Sequence, residues 1–223
     1  MIKIAEVLPS HPSSLWKMVK QCGVDDVVAG FDRSVPDPSV VHPDQRPWSF
    51  TNLMRMKAAF KDGGFNCDVI EARPPLNKAK LGLPDRDQEI EYAIDLIRNM
   101  GKVGIKVWCH EWMPVLNWTR TSTVTLGRGG AYVTGYDNEL MKNAPLTDAG
   151  EVSEDRLWDN LKYYLEKIVP VAEEAGVQLA MHPDDPPLSP IRGMGRIMRS
   201  VETYQRLIDL VPSEANGICL CQG

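Results

Sequence analysis

Short apolar segments alternate with amphipathic segments along almost the whole chain, and this alternation constrains the fold more than any other feature. Apolar runs typical of buried strands occupy residues 2–7, 24–29, 65–70, 103–109, 177–181 and 217–221. Apolar residues at helical spacing follow, in segments that begin near residues 13, 51, 85, 153 and 200. We expect Asp85 to cap the third helix and Gly101 to end it, and Pro170 to kink or split the fourth.

Strands that alternate with helices in this way are expected to form a parallel sheet covered by helices. About six strand–helix units fit the chain, against the eight of a closed (β/α)8 TIM barrel. The rival is a doubly wound open sheet, but residues 8–12, after the first strand, lack the glycine fingerprint of that fold. The sequence therefore predicts one TIM-barrel domain over residues 1–223, incomplete because it holds about the first six units.

The longest interruption of the alternation follows the fourth strand. Residues 119–136 alternate in polarity around the glycine-rich tip 127–130, which predicts a β-hairpin insertion. In a barrel, this hairpin would rise from the carboxyl face of the sheet, as a lid or a subunit contact. A phosphate-binding loop is disfavoured, because no strand-to-helix context and no Gly-Lys-Ser/Thr string accompany the glycines.

Composition excludes several classes of function. The net charge is −5 and there is no basic block, so nucleic acid is an unlikely partner. No apolar run approaches the ~20 residues of a membrane span, and the chain enters an apparent strand at once, without a signal segment. The five cysteines form an odd set without zinc-ribbon spacing. We expect a cytoplasmic protein that acts on a small molecule, with a homodimer as its expected assembly.

Two potential metal ligands end neighbouring predicted strands. His182 follows residues 177–181, and Cys221 ends residues 217–221. Adjacent parallel strands lie roughly 5 Å apart, so an imidazole and a thiolate at their ends can share one ion. This donor pair suits iron, manganese or zinc better than magnesium or calcium. The alternative is a structural histidine that bonds to the backbone, with Cys219 packing one layer deeper in the core.

Other polar side chains lie near the same predicted edge. His110 and Glu111 end the fourth strand as a candidate acid–base pair, or are solvated loop residues. Arg120 suits a carboxylate-bearing substrate, or forms a structural salt bridge. Asp184 and Asp185 could orient His182, although a role in the proline-rich turn is the simpler interpretation for at least one of them.

Three strings in this chain resemble the mannonate dehydratase family. They are His-Pro-Asp-Asp-Pro-Pro at 182–187, Asn-Gly followed by Cys-Gln-Gly at 216–223, and Met-Pro-Val followed by Trp-Thr-Arg-Thr at 113–121. The resemblance implies a xylose-isomerase-like barrel, a bound Fe²⁺ or Mn²⁺, and loss of water from D-mannonate to give 2-dehydro-3-deoxy-D-gluconate in hexuronate catabolism. It implies that His182 and Cys221 are metal ligands and that Arg120 lies near the substrate. We expect Asn117 and Asp184 to bind the substrate as well.

The family's remaining metal ligands and its main acid–base groups belong to later strands, so we expect a chain ending at Gly223 to bind metal poorly. The histidine within this chain that could substitute as acid or base is His110. Two departures from the family pattern lie near the expected substrate: His-Glu-Trp at 110–112 replaces Tyr-Asn-Phe, and Asn117 replaces aspartate. The alternatives are an isomerase or epimerase of the same superfamily, and a non-catalytic truncated barrel.

Overall fold

The computed structural model describes residues 2–31 and 40–221. Six strands form a parallel sheet and two more form an antiparallel hairpin: β1 (Ala5–Leu8), β2 (Asp26–Ala29), β3 (Asn66–Ile70), β4 (Val107–Glu111), β5 (Ser122–Leu126), β6 (Tyr132–Gly135), β7 (Gln178–His182) and β8 (Asn216–Ile218). The helices are α1 (Ser14–Gln21), α2 (Phe50–Asp62), α3 (Asn77–Leu81), α4 (Arg86–Val103), α5 (Asn138–Met141), α6 (Glu154–Ala175) and α7 (Val201–Leu210).

The parallel sheet has the strand order β1-β2-β3-β4-β7-β8, so its strands lie side by side in the order in which they occur along the chain. This order never reverses, unlike that of a doubly wound sheet. The predicted α/β fold with a parallel sheet is therefore confirmed. The hairpin β5–β6 projects from the connection between β4 and β7.

The core lies between the sheet and the long helices α2, α4 and α6, which pack side by side. Helix α4 buries Ile90 and Ile97, and α6 buries Leu161 and Ile168. Each such side chain stabilises the fold by about 1.5–3 kcal/mol when it is fully buried. No helix among residues 2–31 and 40–221 combines the length and the apolarity needed to cross a bilayer.

Two predictions about helix α4 are wrong. The helix continues through Gly101 to Val103 and is capped by Gly104, whose φ of 78° is left-handed. Gly101 instead permits a close helix–helix contact, because a Cβ there would lie 2.5 Å from the carbonyl oxygen of Ala175. Asp85 precedes the helix as expected, but its φ is 61° and its side chain forms no capping hydrogen bond.

Helix α6 is continuous from Glu154 to Ala175, so Pro170 does not split it. A proline within a helix removes one hydrogen bond. Here the neighbouring residues Ile168, Val169 and Ala172 are buried against the core and retain the helical path. Packing therefore outweighs the local preference of the proline.

The ends of two strands differ from the prediction. Strand β4 begins at Val107 rather than at residue 103, and it extends to Glu111. His110 and Glu111 are therefore its last residues and not loop residues. Strand β8 ends at Ile218, and Cys221 therefore follows the strand instead of ending it. These shifts change which side chains meet at the carboxyl edge of the sheet.

Candidate functional site

A cavity of about 450 Å³ opens at the carboxyl ends of β2, β3, β4 and β7. This volume is within the usual range for small-molecule sites. Its described lining combines charged, polar and aromatic side chains with several prolines: Gly30, Phe31, Pro47, Trp48, Glu71, Ala72, Arg73, Pro74, Pro75, Leu76, Asn77, Cys109, His110, Glu111, Trp118 and His182. Parallel α/β folds bind their ligands at this edge of the sheet.

His182 is the last residue of β7 and lines this cavity. Its Nδ1 lies 2.7 Å from the carbonyl oxygen of Pro183, and the ring of Trp118 meets it edge-on at 5.5 Å. Among the described residues, Nε2 has no hydrogen-bond partner. The backbone contact therefore orients the ring and leaves one nitrogen for a ligand, as in many metal-binding histidines.

The cysteine that the sheet register brings beside His182 is Cys219. Met181 pairs with Ile218, and the amide of Cys219 donates to the Met181 carbonyl at 2.9 Å. A hydrogen bond from the Cys109 thiol, together with the smaller effect of the nearby His182, lowers the pKa of Cys219 to about 7 against the effect of burial. Cys219 is thus poised to become a thiolate at neutral pH. The sequence suggested only core packing for it.

Cys221 is exposed, and it lies three residues beyond the end of β8. Gln222 and Gly223, which complete the predicted motif, lie outside the described residues. Within residues 2–31 and 40–221, no three His, Cys, Asp or Glu side chains group closely enough to hold a metal ion. The assignment of His182 and Cys221 as metal ligands stays a prediction.

A buried ionic network lies beneath the cavity. Glu111 is 2% exposed, and its Oε1 contacts the ammonium group of Lys80 and, at 2.7 Å, Nε of Arg73. The amide of Met113 donates to the other carboxylate oxygen. Burial lowers the pKa of Lys80 to about 8. Burial alone would raise the pKa of Glu111, but the two cations hold it below its usual value.

Sequence reasoning singled out Glu111 but missed its two partners. Lys80 belongs to helix α3, and Arg73 follows β3. A lysine in a short helical segment has the local pattern of a solvated residue, so nothing in the sequence marks Lys80 as fully buried. An indirect signal was available, because a carboxylate within a buried strand requires a cationic partner from another element.

His110 is buried between the rings of Trp108 and Tyr164, whose centroids lie 5.2 Å and 6.2 Å away. Neither ring nitrogen has a hydrogen-bond partner in the described part of the chain. Burial lowers its pKa to about 4, although the adjacent Glu111 opposes this. The imidazole is therefore neutral at physiological pH and reaches the cavity wall with unused hydrogen-bonding capacity.

Arg120 does not belong to the described lining of the cavity. Its guanidinium forms a two-pronged ion pair with Asp185, with Nη1 2.9 Å from Oδ1, and its Nε donates to Thr134 at 2.9 Å. This pair joins the hairpin to the turn after β7. Arg120 therefore forms the salt bridge that the sequence offered as one alternative, and its role in substrate binding stays a prediction.

Asn117 and Asp184 hold the surrounding loops. Asn117 adopts a left-handed φ of 50°, accepts from Arg73 through its side chain, and accepts from the buried Arg196 through its carbonyl oxygen at 2.8 Å. Asp184 accepts from the Met198 amide at 2.7 Å, and burial raises its pKa to about 6. These hydrogen bonds tie Asn117 and Asp184 to Arg73, Arg196 and Met198, and so hold the loops around the cavity in place.

The similar sequences, and one structure of high similarity, are those of mannonate dehydratases. The sequence model of the family D-mannonate dehydratase (UxuA) matches residues 9–149 and 144–223. A mannonate dehydratase of Geobacillus thermodenitrificans is 37% identical over 207 residues, which cover 79% of this chain and 56% of the relative. The crystal structure of mannonate dehydratase from Streptococcus suis serotype 2 matches with a TM-score of 0.87 and 31% identity, over 100% of this chain and 65% of that chain.

The chain thus spans little more than half the length of the Geobacillus relative. More distant structures share the architecture. A xylose isomerase-like TIM barrel protein from Mycobacterium smegmatis matches with a TM-score of 0.54 and 12% identity, over 99% of this chain and 65% of that chain. At this level of identity, the likeness concerns the fold alone.

Proposed function

The chain belongs to the D-mannonate dehydratase family, and we propose that it acts in the metal-dependent dehydration of D-mannonate to 2-dehydro-3-deoxy-D-gluconate. The observation that carries the proposal is the position of His182, beside other titratable side chains, in a cavity at the carboxyl edge of a parallel sheet. A titratable ring with one free nitrogen at this edge is suited to a site that binds and polarises a small hydroxylated acid.

We further propose that the sheet belongs to a single (β/α)8 barrel domain that carries the hairpin β5–β6 as an insertion. The strand order, which follows the chain without reversal, supports a barrel. The outer strands β1 and β8 have exposed apolar side chains, among them Val7 at 60% and Ile218 at 44%. Further barrel elements would cover these side chains and pair the free edges of the sheet.

In this proposal, His182 and Cys221 hold Fe²⁺ or Mn²⁺. The donors fit such an ion in kind, because the Pro183 carbonyl orients His182 through Nδ1 and leaves Nε2 for the cation. Imidazole and thiolate ligands also suit borderline divalent metals. When bound, such an ion stabilises the negative charge that forms as the proton next to the carboxylate leaves, and it polarises the departing hydroxyl group.

Side chains in the cavity and in the loops around it have three proposed tasks. The neutral His110 ring has an unused nitrogen that can exchange a proton with a substrate hydroxyl, although a pKa of about 4 makes it a weak base. We propose a positioning role at the substrate site for Asn117, Arg120 and Asp184, which their contacts with Arg73, Asp185 and Met198 support. Trp118 meets the ring of His182 edge-on, and we propose that this contact helps to hold the ring in place.

Product analysis tests this function. The chain is incubated with D-mannonate and Mn²⁺ or Fe²⁺, and 2-keto-3-deoxy acid is measured. Because the expected remaining ligands and acid–base groups lie on later strands, the assay uses a chain that carries the whole proposed barrel. We expect product from that chain and from its His42→Gln variant, which changes an exposed histidine, and a loss of at least about 100-fold in its His182→Gln variant. Absence of product in the metal-loaded chain, with a new isomer formed from a ketose instead, would favour an isomerase or epimerase.

We also propose that the hairpin forms a homodimer contact. Val124, Leu126 and Tyr132 are each about 70% exposed on its surface, and exposed apolar clusters often mark interfaces. Light scattering should report a dimer that Leu126→Asp converts to a monomer. A monomeric unaltered chain would contradict this proposal. A cytoplasmic location and a place in hexuronate catabolism stay predictions.

A further inference from the structure

Arg73 is held in the cavity wall from both sides. Its neighbours Pro74 and Pro75 restrict the backbone, and the Trp108 indole donates to the carbonyl oxygen of Ala72 at 2.8 Å. The guanidinium contacts Glu111 through Nε and Asn117 through Nη2. In the described part of the chain, Nη1 forms no hydrogen bond. The group is therefore fixed in place, yet it keeps donors for a ligand.

The charge of Arg73 is only partly compensated. Glu111 is shared between Arg73 and the fully buried Lys80, so these three side chains carry a net charge of one positive unit. Lys80 is 0% exposed, whereas the side chain of Arg73 is 22% exposed. The excess positive charge can thus meet a ligand only at the guanidinium of Arg73.

The described lining contains few charged groups. Glu71, the other carboxylate besides Glu111, acts electrostatically on the thiols of Cys109 and Cys219. Since the sheet register brings Cys219 beside His182, these side chains suit a cation. Arg73 is the only lysine or arginine in the described lining, so it is the group that suits an anion. Arg120, by contrast, is already matched one-to-one by Asp185.

We propose that Arg73 binds the carboxylate of the sugar acid, while the hydroxyl-bearing carbons extend towards His182. This inference deepens the proposed function and rests on it for the identity of the acid. Asn117 and Glu111 hold the guanidinium so that its free edge faces the cavity, and the aromatic rings of Phe31, Trp48 and Trp118 enclose the carbon chain. A fixed guanidinium recognises a carboxylate through two parallel hydrogen bonds.

Calorimetry with the 223-residue chain and Mn²⁺ tests the proposal, using D-mannonate and D-mannitol, which lacks the carboxylate. We expect Arg73→Gln to weaken mannonate binding roughly 10- to 100-fold, as expected when a charge-assisted hydrogen bond is lost. Mannitol binding should not change, and Arg73→Lys should restore part of the affinity. Arg98→Gln, on the exposed side of α4, is the matched control and should bind like the unaltered chain. Mannonate affinity within about twofold of the control in Arg73→Gln would overturn the proposal.

A second measurement avoids variants that fail to fold. Phenylglyoxal modifies accessible arginines, and mass spectrometry reports its rate at Arg73 in the unaltered chain. D-mannonate should slow this modification several-fold and mannitol should not; equal rates would overturn the proposal. If mannonate protects Arg73 but a chain that carries the whole proposed barrel forms no 2-keto-3-deoxy acid, Arg73 binding stands and the dehydratase function falls. If product forms and Arg73→Gln keeps the same KM for mannonate, the dehydratase function stands and the proposed role of Arg73 falls.

Discussion

Replacing Glu111 by glutamine should destabilise the protein more than any other change that removes one charge and no volume. The amide side chain of the Glu111→Gln variant would retain an acceptor for the Met113 amide, but it would leave the ammonium group of Lys80 buried without a counter-charge. Removing one partner of a buried ion pair costs about 3–5 kcal/mol. We expect the free energy of unfolding to fall by that amount and the Tm to fall by roughly 6–20 °C.

The pKa of Lys80 supports this magnitude. Burial already lowers it from 10.5 to about 8 while Glu111 opposes the shift, which corresponds to about 3 kcal/mol of penalty on the charged form. Without Glu111, the penalty increases further. The ammonium group must then lose its proton or the surrounding structure must open to water.

Urea unfolding followed by tryptophan fluorescence measures the effect, because Trp108 and Trp112 flank Glu111 in the sequence and are fully buried. Glu91→Gln, on the exposed side of α4, is the control and should change stability by less than about 0.5 kcal/mol. The double variant Lys80→Met/Glu111→Gln should lose clearly less than the sum of the single variants. A loss below about 1 kcal/mol in Glu111→Gln, or strict additivity, would refute the reasoning.

Three further predictions rest on single contacts. The pKa of Lys80 is about 8 in the folded chain and 10.5 in the unfolded chain, so the unfolded chain binds more protons between these pH values. The free energy of unfolding should therefore rise from pH 8 to 10.5. Urea titrations should show this rise in the unaltered chain and a flatter dependence in Lys80→Met. Gly101→Ala should lower the free energy of unfolding by about 1–3 kcal/mol, because the new methyl group would collide with the Ala175 carbonyl oxygen. Gly30→Ala is the control and should have little effect in the same assay, because the space around Gly30 can accept a methyl group. Mn²⁺ should raise the Tm of the unaltered chain in a concentration-dependent way, and a similar rise in His182→Gln would contradict its role as a ligand.

Much of the architecture was predictable because its signals are local. The alternation of apolar runs and amphipathic segments predicted the α/β fold and the parallel sheet. The errors fall where distant contacts outweigh local preference. Gly101 has the pattern of a helix end, but contact with Ala175 explains it. Pro170 has the pattern of a helix break, but the buried face of α6 continues through it.

For the site, the sequence by itself determined the residue types and the edge of the sheet at which they gather. His182, His110 and Glu111 come at strand ends, and the carboxyl ends of parallel strands share one edge. The tertiary structure alone decided which side chains meet there. The register of β7 and β8 brings Cys219 beside His182, and no local pattern sets that register.

The same holds for the charges. Lys80 and Glu111 are separated by 31 residues in the chain, and Arg73 comes from a third element. Their pairing exists because a carboxylate buried in β4 requires cationic partners, which only the packing of α3 and the segment after β3 can supply. Arg120, for which the sequence left a substrate contact and a salt bridge open, is paired with Asp185. Local periodicity therefore determined the framework, whereas the pairing of buried charges between distant segments decided which arginine faces the cavity.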